Sequence, residues 1–174
     1  MMDESAIVSG LREASEQVFS TMLALDVVFG ESYAEVNPIE QTDEIIAVIG
    51  LAGEWIGTAS ICCSAAMACR MASQMLAAEF AEVDEEVLDA IAEVANMIIG
   101  CFKTGAETHL GPLGLSIPTV IYGLSFSARS PGKERWLVVP LTCGDDLVKI
   151  KICLTPNRSL PRLGTLGLLH LAHR

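Results

Sequence analysis

The chain is short of the residues that hold metals and shorter still of positive charge. Its histidines are His109, His170 and His173, and its six cysteines (62, 63, 69, 101, 143 and 153) form no C-x2-C pair and have no histidine at ligand spacing. The cysteines therefore read as buried free thiols in a reducing compartment, with a structural zinc or redox role as the other reading. Eleven Lys and Arg stand against 22 Asp and Glu, a net charge of −11. That balance argues against binding a phosphate backbone, and no basic patch interleaved with aromatics appears. An unbroken apolar span is also missing. The longest uncharged stretch, 110–128, would reach across a bilayer but contains Gly111, Pro112, Gly114, Pro118 and Gly123, so it reads as loop and buried strand. Asp3 and Glu4 precede any apolar run, the reverse of a secretory signal. A cytoplasmic protein is expected, with no membrane and no nucleic acid among its partners.

Apolar residues are abundant, at 51% of 174. That is enough for one domain burying about 70% of its unfolded surface. Residues 5–25 carry a helical stripe of Ile7, Leu11, Ala14, Val18, Met22 and Leu25. Residues 26–36 look extended, punctuated by Asn37-Pro38. Two β-branched runs, 44–51 and 55–62, flank Ala52-Gly53-Glu54 as a hairpin. Residues 64–80 form a nearly uncharged helix in which Met67, Met71 and Met75 are core filler. Strands are expected at 115–126, 135–142 and 147–154, with a turn at Cys143-Gly144-Asp145. In the last strand Val148, Ile150, Ile152 and Leu154 share the face that lies on helices. Leu147, Lys149, Lys151 and Cys153 point to solvent or a partner. The tail from 157 is of unsettled order, a short helix from Leu163 being one possibility.

The centre of the chain is the segment 84–118. Asp84 caps a helix whose Val87, Ile91, Val94, Ala95, Ile98 and Phe102 fall in one arc. Asp89, Glu93, Asn96, Gly100, Lys103 and Glu107 fall in the opposite arc. The i,i+4 and i,i+3 spacings make Asp89, Glu93 and Asn96 neighbours on one exposed ridge. Asn is a mediocre helix former and Gly costs about 1 kcal/mol in a helix interior, so both on one outward ridge invite a reason beyond folding. A glycine one turn past Asn96 leaves room for another molecule to approach. A solvated face accounts for the same spacing without any function.

The ridge has an echo. Ser9-x3-Glu13-x2-Glu16 in the first helix matches Asp89-x3-Glu93-x2-Asn96, and Pro38 lies as far beyond Glu16 as Pro118 lies beyond Asn96. Helix followed by extended segment at one spacing, twice, reads as a duplicated unit with pseudo-two-fold symmetry, with coincidence among frequent glutamates as the alternative.

Asp89-x3-Glu93-x2-Asn96, followed by Leu115-Ser116-Ile117-Pro118-Thr119-Val120-Ile121-Tyr122-Gly123, resembles the signature of the CheC/CheX/FliY phosphatases of bacterial chemotaxis, and the single intact copy is most like CheX. The resemblance covers about residues 4–155, taken as one CheX-like domain (1–155) followed by the tail (156–174). It implies an α/β (α+β) fold: one antiparallel sheet of about six strands with long helices packed on one face, ordered helix-strand-strand-strand-helix-helix-strand-strand-strand. It implies a homodimer formed partly through strands, and a CheY-like receiver domain as partner. The implied activity is hydrolysis of the receiver's phospho-aspartate. Asn96 would orient the water, Glu93 would pair with a receiver lysine, Asp89, Gly100 and Lys103 would support recognition, and Pro118 would shape the loop backing the helix. No metal or cofactor of its own is implied; Mg²⁺ is expected on the regulator. Ser9, Glu13 and Glu16 would be a degenerate second copy, since two-site relatives carry the motif on both helices. A non-catalytic receiver-binding or flagellar-switch-like module is the runner-up, and a small-molecule or metal-binding domain the third reading.

Overall fold

The computed structural model describes residues 3–36, 39–42, 44–123, 126–129 and 134–158. The expected tail helix, His170, His173 and Pro38 lie outside the described residues. Three helices and ten strands follow in the order α1 (Glu4–Thr21), β1 (Val28–Phe29), β2 (Tyr33–Val36), β3 (Ile39–Thr42), β4 (Glu44–Gly53), β5 (Trp55–Ser64), α2 (Ala65–Leu76), α3 (Glu85–Leu110), β6 (Leu113–Leu115), β7 (Thr119–Tyr122), β8 (Phe126–Arg129), β9 (Arg135–Cys143) and β10 (Asp146–Pro156).

Eight of these strands make one antiparallel sheet in six lanes. The inner four run β9-β10-β5-β4. Each outer lane is a strand broken in two: β1 and β2 both pair with β9, and β6 and β7 both pair with β4. β3 and β8 form a separate two-stranded ribbon. The order is duplicated. Helix, broken edge strand, ribbon strand and hairpin occur once as α1 to β5 and again as α3 to β10. Each half lends its broken edge strand to the other half's hairpin, and the two hairpins meet where β5 pairs with β10. The echo in the sequence is therefore an architectural repeat.

Burial follows the expected stripes. Val87, Ile91, Val94, Ala95, Ile98 and Phe102 of α3 are all buried against the sheet, with Ile7, Leu11, Val18 and Phe19 of α1 beside them and Met67 and Met71 of α2 fully enclosed. Each large side chain so buried contributes about 1.5–3 kcal/mol. The caps are side-chain bonds: Asp3 accepts from the Ser5 N–H at 3.0 Å, Ser64 from Met67 at 3.1 Å and Asp84 from Val87 at 2.9 Å.

Four expectations need correction. α1 ends at Thr21, not at residue 25: Ala24 turns left-handed (φ 50°), the Leu23 and Leu25 N–H groups close back on Val18 and Phe19, and Met22 is exposed. α2 likewise ends at Leu76, capped by left-handed Ala77. The single strand expected over 115–126 is three pieces, because Ser116-Ile117-Pro118 interrupts the pairing with β4. Finally, the sheet face away from the helices is not simply solvated. Ile46, Cys62, Val138, Lys151 and Cys153 on that face are buried, and the Lys151 ammonium, 4% exposed as a residue, bonds Glu35 of β2 at 2.9 Å. Burial pushes the Cys153 thiol up to about 11. The six cysteines form no disulfide with one another, Cys101 being half-buried and the others buried.

Candidate functional site

α3 is 26 residues, about 39 Å long at 1.5 Å per residue, and its buried face holds it rigid against the sheet. Its opposite face presents Asp89, Glu93 and Asn96, all exposed, in the row the sequence predicts. Among the described residues no side chain engages Glu93 or Asn96. Asp89 and Glu93 are like charges at i,i+4, an arrangement that destabilises a helix by about 0.2–0.5 kcal/mol. The ridge is thus a rigid display of one amide and two uncompensated carboxylates, able to accept hydrogen bonds, to orient a water through the amide and to attract a cation from outside.

Gly100 stands one turn further along. A Cβ built there would meet nothing within 4 Å, whereas one at Gly10 of α1 would come within 3.3 Å of the Phe102 ring. Packing therefore explains Gly10 and leaves Gly100 unexplained: its effect is an open notch beside Asn96. Lys103 is half-buried and bound within the chain, its ammonium 3.2 Å from Glu107. Glu107 Oε1 also accepts from the Leu113 N–H at 3.0 Å. That backbone bond first, and the Lys103 bond second, hold the Glu107 carboxyl below its ordinary value. Lys103 and Glu107 together tie the end of α3 to the start of β6.

Pro118 closes the break between β6 and β7, which both contact α3. The sequence reading assigned no role to Ser116, yet it is the fastening of this segment. Its N–H donates to the Gly50 carbonyl and its Oγ accepts from the Gly50 N–H, both at 2.9 Å, while the hydroxyl donates to the Ile117 carbonyl at 2.9 Å. A serine just before an Ile-Pro pair was the available signal.

The second ridge differs chemically. Ser9, Glu13 and Glu16 are exposed on α1, and the Ser9 hydroxyl donates to Glu13 Oε1 at 3.0 Å. Glu13 is thus occupied from within its own helix. A cavity of about 140 Å³ between α1 and the β9–β10 ends, lined by Glu4, Ile7, Arg135, Leu137 and Ile152 among others, contains no ridge residue. Among the described residues no cluster of three metal-ligating side chains occurs, and no helix is long and apolar enough to cross a membrane.

A family model described as "Chemotaxis phosphatase CheX" matches residues 45–142, more than half of the chain, including all of α3 and the Ser116–Pro118 break. The CheY-P phosphatase CheX of Thermotoga maritima is 28% identical over 131 residues, covering 74% of this chain and 83% of that one. The fold is shared with the chemotaxis protein CheX of Desulfovibrio desulfuricans, at a TM-score of 0.77 and 23% identity over 86% of this chain and 99% of that one. It is also shared with a chain in the CheX–CheY–BeF3–Mg²⁺ complex of Borrelia burgdorferi, at a TM-score of 0.70 and 23% identity over 85% of this chain and 97% of that one.

Proposed function

The chain belongs to the chemotaxis phosphatase CheX family, and from that premise we propose that it hydrolyses the phospho-aspartate of a CheY-type response regulator through Asn96 and Glu93. The observation that carries this reading is the pair itself: two adjacent, exposed, unengaged polar groups on a rigid helix, beside a glycine that packing does not require.

The reaction asks little of the phosphatase. A water oxygen attacks phosphorus, the bond from phosphorus to the aspartyl oxygen breaks with its electron pair going to the carboxylate, and the water proton leaves with the phosphate or to solvent. Such a transfer is governed by positioning and charge stabilisation. The Asn96 carboxamide holds the water in line without adding negative charge beside the phosphoryl group. It is no useful base, so its part is orientation. Glu93 docks by pairing with a lysine at the regulator's active site, and the neighbouring Asp89 deepens the negative potential that draws that lysine in. Gly100 lets the regulator's surface come close to the helix. Lys103, bound to Glu107, supports the helix end, and Pro118 sets the segment behind the ridge. The Mg²⁺ of the reaction is the regulator's. The CheX–CheY complex of Borrelia burgdorferi supports such a partner for a protein of this fold.

Two further parts of the reading rest on the fold. The β1–β2 edge exposes Val28 (70%), Tyr33 (45%) and Val36 (60%), which supports a homodimer formed through that edge. Six cysteines that form no disulfide with one another support a reducing, cytoplasmic setting.

The deciding experiment measures phosphate release from phosphorylated receivers with the wild-type chain and Asn96→Ala. Acceleration by the wild type that falls about 100-fold in Asn96→Ala, with complex formation retained, is the expected result. Equal rates for the two proteins would remove Asn96 from the chemistry and leave a receiver-binding module.

A further inference from the structure

The two broken edge strands occupy matching places in the repeat, and their breaks are closed differently. In the first half the break is Gly30-Glu31-Ser32, where the Gly30 N–H donates to the Pro140 carbonyl at 2.9 Å, as Ser116 does to Gly50 in the second. Arg12 of α1 reaches across to it. Its Nη2 donates to the Gly30 carbonyl at 2.8 Å and to Ser32 Oγ at 3.0 Å, and its guanidinium lies 5.6 Å from the centre of the Phe29 ring. Arg12 precedes Glu13 of the degenerate motif. The residue preceding Glu93 of the intact motif is Ala92, which has no such reach. Where the first half has Glu31, the second has Ile117, 87% exposed and the most exposed large apolar side chain among the described residues.

Ile117 is held there firmly. Ser116 clamps the segment to β4, and Pro118 fixes the following backbone. In the first half Arg12, the counterpart of Ala92, bonds the residues on either side of Glu31, the counterpart of Ile117. The repeat therefore places Ile117 within a long side chain's reach of Ala92, beside Glu93. The geometry points to Ile117 as an apolar anchor for the activated receiver, seated beside the Glu93–Asn96 ridge. This rests on the phosphatase reading and deepens it: the receiver that takes Glu93 and Asn96 into its active site rests an apolar surface on Ile117. The occupant is the receiver because the anchor is continuous with the catalytic ridge. The edge assigned above to a second copy of this chain is the opposite one.

The test uses full-length protein, a receiver activated with beryllofluoride and Mg²⁺, and three variants: Ile117→Ser, Ile117→Leu and Asn96→Ala. Ile117→Ser is expected to weaken receiver binding 10- to 50-fold and raise KM in proportion, with kcat at saturation unchanged and Ile117→Leu close to wild type. Asn96→Ala should show the reverse, lost turnover with retained affinity. Wild-type affinity in Ile117→Ser overturns the anchor and leaves the phosphatase standing. A wild-type chain that binds no receiver removes both. Sedimentation separates the remaining case: if Ile117→Ser converts a dimer to monomers without changing receiver affinity, the side chain serves a second copy and the proposal falls.

Discussion

The two halves of this molecule share one plan and differ in what each leaves open. On α1, Ser9 donates a hydrogen bond to Glu13, Arg12 bridges the helix to the broken edge strand, and Gly10 lies close against the Phe102 ring. On α3, Asp89 cannot donate to Glu93, Ala92 bridges nothing, and Gly100 faces empty space. The first half engages Arg12 and Glu13 within the chain and leaves Glu16 exposed. The second keeps two acids adjacent and exposed and gives up about 1 kcal/mol of helix propensity at Gly100. The contrast supports the proposed assignment of the site to α3, because local choices that oppose stability are expected at functional positions.

Among changes that exchange features between the halves, importing the first half's closure into the second should have the largest effect. Ala92→Arg places a guanidinium one residue before Glu93, where it can bond the Ser116–Pro118 segment as Arg12 bonds Gly30 and Ser32. It would crowd Ile117 and repel the regulator's lysine. Phosphate release at limiting receiver is expected to fall about tenfold, the equivalent of 1.4 kcal/mol, with the unfolding midpoint unchanged. Unchanged release kinetics would show that the segment beside the ridge takes no part in docking.

A smaller contrast separates the two glycines. Gly100→Ala meets no atom and should stabilise the fold by about 0.5–1 kcal/mol, because Ala is the better helix former. Gly10→Ala gains the same propensity but presses a methyl against the buried Phe102 ring, which must shift by a few tenths of an ångström, so it should stabilise less than Gly100→Ala and destabilise if the ring is held; overpacking costs about 1–3 kcal/mol. Denaturant midpoints for the two variants check this, and an equal shift in both would undo the distinction between a packing glycine and an open one.

Much of this was legible in the sequence because it is local. The stripe of α3, the Asp84 cap, the hairpin at Gly53 and the alternation of β10 depend on spacings within one element, and the exposed row of Asp89, Glu93 and Asn96 follows from the same periodicity. The six lanes of the sheet were expected, but the breaks in both outer lanes were not, since they arise where Gly30 and Ser116 bond to strands far away in sequence. The helix ends at Ala24 and Ala77 carry no glycine to announce a left-handed turn. The burial of Lys151 depends on Glu35, 116 residues distant, and no window along the chain connects them. Lys103 sat on the ridge by angle alone, and only its ion pair with Glu107 reveals a helix-end support.

The smallest expected difference concerns how the C-terminal ends of the two helices are closed, and it is set by pH. α1 is closed by backbone bonds from Leu23 and Leu25, which do not titrate in the acid range. α3 is tied to β6 by the Glu107 carboxylate, which accepts from Leu113 and pairs with Lys103. Because these partners lower the carboxyl's folded value below its ordinary 4.5, the tie contributes fully above that pH. It is lost as pH falls through the lowered value. Glu107→Gln keeps an acceptor for the Leu113 N–H but cannot ionise. The stability difference between wild type and Glu107→Gln should therefore be present at neutral pH and close as the solution is acidified below 4.5, with hydrogen exchange at the Leu113 amide rising in the wild type over the same interval. The Leu25 amide should show no such step. A difference that persists undiminished at pH 3 would mean the α3 end, like the α1 end, is held by interactions that do not titrate in the acid range, and the contrast between the two closures would disappear.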